Sequence, residues 1–173
     1  KMIKTRKIQK ITAALVIAIL LCSGCTDKTK TTASDAVQTS KPEITAKSMD
    51  EIYQEITQSV TLQSPACMDE DFISNYYGID TKTLSEYVFS MSEDAAQAET
   101  IIILKAEKSE DLETLSSCLQ TVVDEKKNEM ENYIPEQFAI VEKSKVQTKS
   151  NYVWLVISEN AETITDIIEN NLS

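Results

Sequence analysis

Histidine is absent from this 173-residue chain, arginine occurs once, at Arg6, and glycine occurs only at Gly24 and Gly78. Each shortage removes a class of chemistry. Without histidine, the usual nucleophile–base pairs and His-rich zinc sites have no material. Without arginine after residue 6 there is no guanidinium clamp for a phosphoryl group, and two isolated glycines cannot form a phosphate-cradling loop. Aromatic residues are also few, at 6% of the chain, so each one that falls outside the core is a candidate binding residue.

Basic charge is concentrated at the start. Residues 1–24 hold Lys1, Lys4, Arg6, Lys7 and Lys10 and no acid, ahead of an apolar run from Ile11 to Leu21. That is the charge order of a signal peptide. The run is about half the roughly 20 residues that a membrane-spanning helix needs. It ends at Cys22-Ser23-Gly24-Cys25, where two small residues let the chain enter a peptidase extended and the Cys25 thiol can accept a diacylglyceryl group. The segment resembles the lipobox of bacterial lipoproteins, with Cys22 standing where Leu, Val or Ile is usual. Residues 1–24 are thus expected to be a lipoprotein signal peptide cut between Gly24 and Cys25. Acyl chains on Cys25 would hold the protein on the outer face of the cytoplasmic membrane of a Gram-positive-type envelope.

Removing five positive charges takes the chain from net −11 to net −16. Residues 25–47 mix lysines, acids, threonines and serines with almost no large apolar group, the composition of a flexible tether. Residues 48–173 carry 25 Asp and Glu against eight Lys, a net charge of −17. Such a surface is repelled by phosphate backbones and by anionic lipid, so no nucleic-acid partner is expected and the membrane should be held only through the lipid anchor. This region is of a size to fold as one domain around its own core.

Within it, Ser48 followed by Glu51 reads as a capping box, and Met49, Ile52, Tyr53, Ile56 and Val60 continue as one apolar stripe. A second helix runs from Asp69 through Tyr76 to Gly78, which is placed to be its left-handed C-cap. Asp69, Glu70 and Asp71 fall in its first turn, where they complement the helix dipole. Consecutive helical side chains point about 100° apart and do not converge on one ion, so no metal and no cofactor are expected. Ser85–Met91 and Thr100–Glu107 read as a strand pair, and the unbroken Ile101–Leu104 run suits a strand covered on both faces. The longest helical pattern follows Ser109, with Leu112, Leu115, Leu119, Val122, Val123, Met130 and Tyr133 on one face and Pro135 as its stop. Phe138–Val146 and Tyr152–Ser158 read as another strand pair, and Ile164, Ile167, Ile168 and Leu172 as a final helix. The fold expected is α+β, a four-stranded, mainly antiparallel sheet in the order ααββαββα. Its centre would be Ile101–Leu104 and Tyr152–Ile157, and its edges Ser85–Met91 and Phe138–Val146.

Five short stretches occur in this order: Tyr77-Gly78-Ile79-Asp80, Glu86-Tyr87-Val88, Ala98-Glu99-Thr100-Ile101, Tyr133-Ile134-Pro135-Glu136-Gln137 and Asn151-Tyr152-Val153. The pattern resembles the domain of unknown function 4358 over roughly residues 50 to 170. The resemblance implies a small exported protein, often a lipoprotein of a Gram-positive cell, with no assigned activity. It departs from the pattern in two places. The long helix lacks an arginine, and Ser150 stands where a glycine often precedes the Asn-Tyr pair.

No catalytic residue is singled out, and a non-catalytic binding or accessory module is the expectation. Its partner would be an envelope protein, a peptide or a cell-wall component. The alternative is a small envelope hydrolase using paired carboxylates or a Ser–Lys pair. Tyr76, Tyr77, Tyr133, Tyr152 and Trp154 are the candidate binding aromatics. Cys67 and Cys118 are the cysteines left after lipidation, and export permits a disulfide between them.

Overall fold

The computed structural model describes residues 47–172; the expected signal peptide, the expected Gly24–Cys25 cleavage site and all of the expected tether but Lys47 lie outside the described residues. The first helix, α1 (Met49–Ser59), begins as its capping box dictates. Ser48 Oγ accepts from the Glu51 amide and the Glu51 carboxylate accepts from the Ser48 amide, an arrangement that stabilises a helix start by about 1 kcal/mol. Strand β1 (Pro65–Cys67) follows, then α2 (Glu70–Tyr77). Asp69 caps α2 by accepting from the Phe72 amide, and Gly78 ends it at φ +66°. Next come β2 (Leu84–Ser92), β3 (Thr100–Ala106), α3 (Leu112–Met130), α4 (Pro135–Lys143), β4 (Val146–Lys149), β5 (Tyr152–Ile157) and α5 (Ala161–Asn171).

The α+β reading holds, but the sheet has five strands, in the order β1-β2-β3-β5-β4, with every neighbouring pair antiparallel. The two unbroken apolar runs take interior positions, β3 and β5, as expected. Two expectations fail, the first in part. Ser85–Met91 is an edge only over its first residues, because the three residues of β1 pair with Ser90, Met91 and Ser92 of β2. Phe138–Val146 is not a strand: Pro135 sits at the first helical position of α4, where its missing amide costs nothing, so it starts a helix as well as following one. The edge strand begins only at Val146.

Alternation along the strands divides the core in two. Phe89, Ile102, Leu104, Val153, Leu155 and Ile157 face α2, α3 and α4. Val88, Ile101, Ile103, Tyr152, Trp154 and Val156 face α1 and α5. The sheet is therefore covered on both sides, which is why β3 and β5 have no polar face to alternate with.

Strands β4 and β5 are joined by Ser150 and Asn151 alone, since Lys149 pairs with Tyr152. Ser150 has φ +54°. A two-residue hairpin with positive φ at its first central residue is the type II′ pattern, which favours glycine there. This is the position at which the family resemblance expects glycine, and serine pays a Cβ clash for occupying it. Ser150→Gly should raise stability by about 1 kcal/mol, seen as a higher urea midpoint at an unchanged slope. An unchanged or lowered midpoint would show that the turn carries no strain.

Candidate functional site

A groove of about 720 Å³ lies between α4 and α5, at the β4 edge of the sheet. Glu136, Ala139, Ile140 and Lys143 form one wall, three and four residues apart and therefore on one face of α4. Glu162, Thr165 and Asp166 form the other wall on α5 by the same spacing. Val146, Gln147 and Val156 lie between them. The size falls in the range of ligand sites.

One end of the groove runs into a smaller polar hollow of about 280 Å³, which shares Glu136, Ile140, Ser158 and Glu159 with it. Here Glu99 is held by two neutral donors, the Ser158 hydroxyl at 2.7 Å and the Gln63 amide. Gln137 is held by the Ala98 amide, which donates to its Oε1 at 2.9 Å. Ser158 is itself buried and its Oγ also accepts from the Asn160 amide at 3.1 Å. These bonds fix the start of β3, the end of β5 and the start of α4 to one another.

Around the groove stand Glu136, Glu159, Glu162 and Asp166 against Lys143 and Lys145. Among the described residues, the ion pairs are Lys47–Glu55, Lys105–Glu86, Lys108–Glu110 and Lys126–Glu129, so none of those six groups is paired. The rim therefore keeps an excess of negative charge. The better-sheltered pair lies elsewhere: Lys105 donates to Glu86 at 2.9 Å, and Glu86 also accepts from the Met49 amide. Together they hold the Glu86 carboxyl below its usual range and raise Lys105, which ties the start of α1 to β2 and β3.

The five candidate aromatics do not gather at one exposed site. Tyr152 and Trp154 are core residues, each 2% exposed. Tyr77 is half-buried, stacked on Phe89 at 5.4 Å between ring centroids, and burial, reinforced by Glu125 and Glu129, pushes its phenol up to about 12. Tyr76 is exposed on α2, stacked on Phe72 at 4.6 Å. Tyr133 lies past the end of α3 rather than on its buried stripe and is 84% exposed. None of the five lines the groove or the hollow.

Cys67 and Cys118, between which export would permit a disulfide, are both free. The reason is the sheet. Cys67 is paired with Ser90, whose hydroxyl meets Tyr53 of α1, so it lies on the α1 side. Cys118 packs with the core cluster on the opposite side, where burial pushes its thiol up. Among the described residues no lysine ammonium hydrogen-bonds a serine; Lys149, for example, donates to the Glu169 and Leu172 carbonyls. No described helix is long and apolar enough to cross a membrane.

Sequence reasoning does not reveal the groove because Phe138–Lys143, most of α4, reads as part of a strand. The one signal available was the quoted Pro135-Glu136-Gln137 stretch, which supplies a residue to each part of the site. A family model described as a domain of unknown function (DUF4358) matches residues 58–158. No curated protein and no solved structure matches the chain.

Proposed function

The chain belongs to the family of the domain of unknown function (DUF4358), and we propose that it is a non-catalytic binding or accessory module of the cell envelope. In this reading it is tethered outside the cytoplasmic membrane by lipid on Cys25. The observation that carries the binding part is the groove between α4 and α5, whose walls are helix faces and whose floor is the edge of the sheet. Grooves of this kind recur as recognition sites for extended segments of partners. The basic N-terminal segment, short apolar run and Ser23-Gly24-Cys25 support the placement.

The test is photo-crosslinking in intact cells, using the full chain with a photoreactive residue at Thr165 in the groove or at Tyr76 on exposed α2. A discrete protein, peptide or cell-wall adduct is expected from the groove position. If neither position, nor others spread over the surface, yields an adduct above the background of a non-photolysed control, the module reading fails.

A further inference from the structure

Beside the groove, the smaller hollow has a composition of its own. Of its ten lining residues, Ile140 is the single apolar one and none is basic. Four are carboxamides, Gln63, Gln97, Gln137 and Asn160, and three are carboxylates, Glu99, Glu136 and Glu159. Glu99 and the Gln137 oxygen are engaged in fastening β3, β5 and α4 to one another. Among the described residues, Gln63, Gln97 and Asn160 hydrogen-bond through their backbone alone, which leaves their carboxamides open to a ligand along with the Glu136 and Glu159 carboxylates. A carboxamide both donates and accepts, and a carboxylate only accepts. Neighbouring hydroxyls on a sugar ring call for that mixture, since each gives one hydrogen bond and receives another.

The same lining rejects other classes of ligand. The segments that meet at this end of the domain, 60–64, 92–99, 131–137 and 157–163, hold no lysine, although residues 48–173 hold eight. An anionic ligand therefore finds no counter-charge there. One apolar side chain gives an acyl chain or the apolar groups of a peptide almost no cover. The carboxylates do not converge as cation ligands do, for among the described residues no group of three or more Cys, Asp or Glu is placed to hold a metal ion. Tyr133 supplies what a polar hollow lacks. It is 84% exposed, and three residues of chain keep its backbone within about 11 Å of that of Glu136. Its ring offers a flat face of negative potential, against which the C–H groups of a pyranose pack.

We infer that the hollow binds a neutral saccharide, its hydroxyls held by the Gln63, Gln97 and Asn160 carboxamides and the Glu136 and Glu159 carboxylates, with Tyr133 stacked on a ring that projects from it. The inference rests on the binding-module reading and gives it a ligand class; it does not depend on what fills the groove. The placement of the hollow suits it. On the lipoprotein reading the tether joins at Lys47, ahead of the 11 residues of α1, whereas Thr61 and Gln63 follow the end of that helix, about 16 Å further along its axis. The hollow thus lies at the end of α1 remote from the attachment point, which does not crowd it.

The test is saturation-transfer NMR on the full chain in detergent, with chitotetraose and maltotetraose as neutral probes, a galacturonate tetramer as an acidic one and an uncharged alanine–glycine peptide. At least one neutral tetrasaccharide should receive saturation, and the uronate and the peptide should not. Gln97→Ala with Asn160→Ala should weaken that saccharide about tenfold, the effect of losing about two hydrogen bonds. Tyr133→Ala should weaken it severalfold, and Thr165→Trp, which fills the groove, should leave it unchanged. If the double variant does not fold by circular dichroism, Gln63→Ala with Glu136→Ala provides the same reading, since neither side chain fastens another part of the fold. Co-sedimentation with wall sacculi stripped of anionic polymers tells the source. Retention that the tetrasaccharide competes away identifies wall glycan, and binding of the free tetrasaccharide alone identifies a soluble saccharide. No transfer to either neutral probe and no retention on sacculi, equal transfer to the uronate or the peptide, or equal binding to wild type, hollow variants and Tyr133→Ala would each overturn the inference. Such a failure alongside an adduct from Thr165 in cells would overturn it while leaving the module reading intact.

Discussion

Trp154→Ala is expected to cost the domain about 3–5 kcal/mol. Trp154 sits on the interior strand β5, paired with Ile103 on one side and Gln147 on the other. Its ring is 2% exposed and packs in the cluster that holds Ile52 and Ile56 of α1 with Ile164 and Ile168 of α5. Those two helices cover one whole face of the sheet, so the cavity left by the ring would lie where β5, α1 and α5 meet. Natural domains are stable by only about 5–15 kcal/mol, and a loss of this size lowers Tm by something on the order of 10–20 °C. The indole Nε1 has no hydrogen-bond partner among the described residues. A buried donor left unpaired costs about 1–3 kcal/mol, so Trp154→Phe, which removes that donor and keeps most of the apolar bulk, should lose far less than Trp154→Ala. Trp154 is the chain's single tryptophan, which lets its fluorescence report unfolding of the wild type, while circular dichroism serves the variants. A loss below about 1 kcal/mol for Trp154→Ala would mean that the α1–α5 layer is not fastened as described.

That layer was legible in the sequence because its signals are local. Ser48 and Glu51 specify a helix start within four residues, and the stripe of Met49, Ile52 and Ile56 specifies the face it buries. The runs Ile101–Leu104 and Tyr152–Ile157 could only be satisfied by cover on both sides, which fixed them as interior strands. What the sequence hid was what depends on company. Strand β1 has three residues and opens with Pro65, a length that carries no period and a residue tolerated only at strand starts and edges. Phe138, Ile140 and Val141 are as compatible with a buried strand as with a short helix, and the decision lay in whether Pro135 ends one helix or begins another. Pro135 does both, and the helix it begins supplies the wall bearing Glu136, Ala139 and Lys143, without which there is no groove. The aromatic candidates misled for a related reason: an aromatic is equally suited to a core and to a binding face, and only the pairing of β5 between β3 and β4 assigns Tyr152 and Trp154 to the core.

Cys25→Ala should abolish acyl labelling completely and leave the chain uncut between Gly24 and Cys25. A partial effect is not expected, because on the lipoprotein reading the thiol is the group that would take the lipid and the cut would follow its modification. The larger consequence concerns retention. A single acyl chain binds a bilayer with K on the order of 10⁴ M⁻¹, and each further buried methylene adds about 0.8 kcal/mol, so two or three chains on one cysteine hold durably. No second hold is expected from the described residues. The mature chain's net charge of −16 gives no attraction to anionic lipid, and no described helix is long and apolar enough to cross the membrane. Residues 26–173 exported behind an ordinary secretory signal should consequently appear in the medium, whereas the wild type stays with the membrane fraction. Labelling cells with an alkyne fatty acid, together with the intact mass of the mature protein, checks both halves. Wild-type protein that carries no lipid, or whose first residue is not Cys25, would end the lipoprotein reading. A secreted 26–173 chain that still sediments with membranes would show that the domain has a membrane-binding surface of its own.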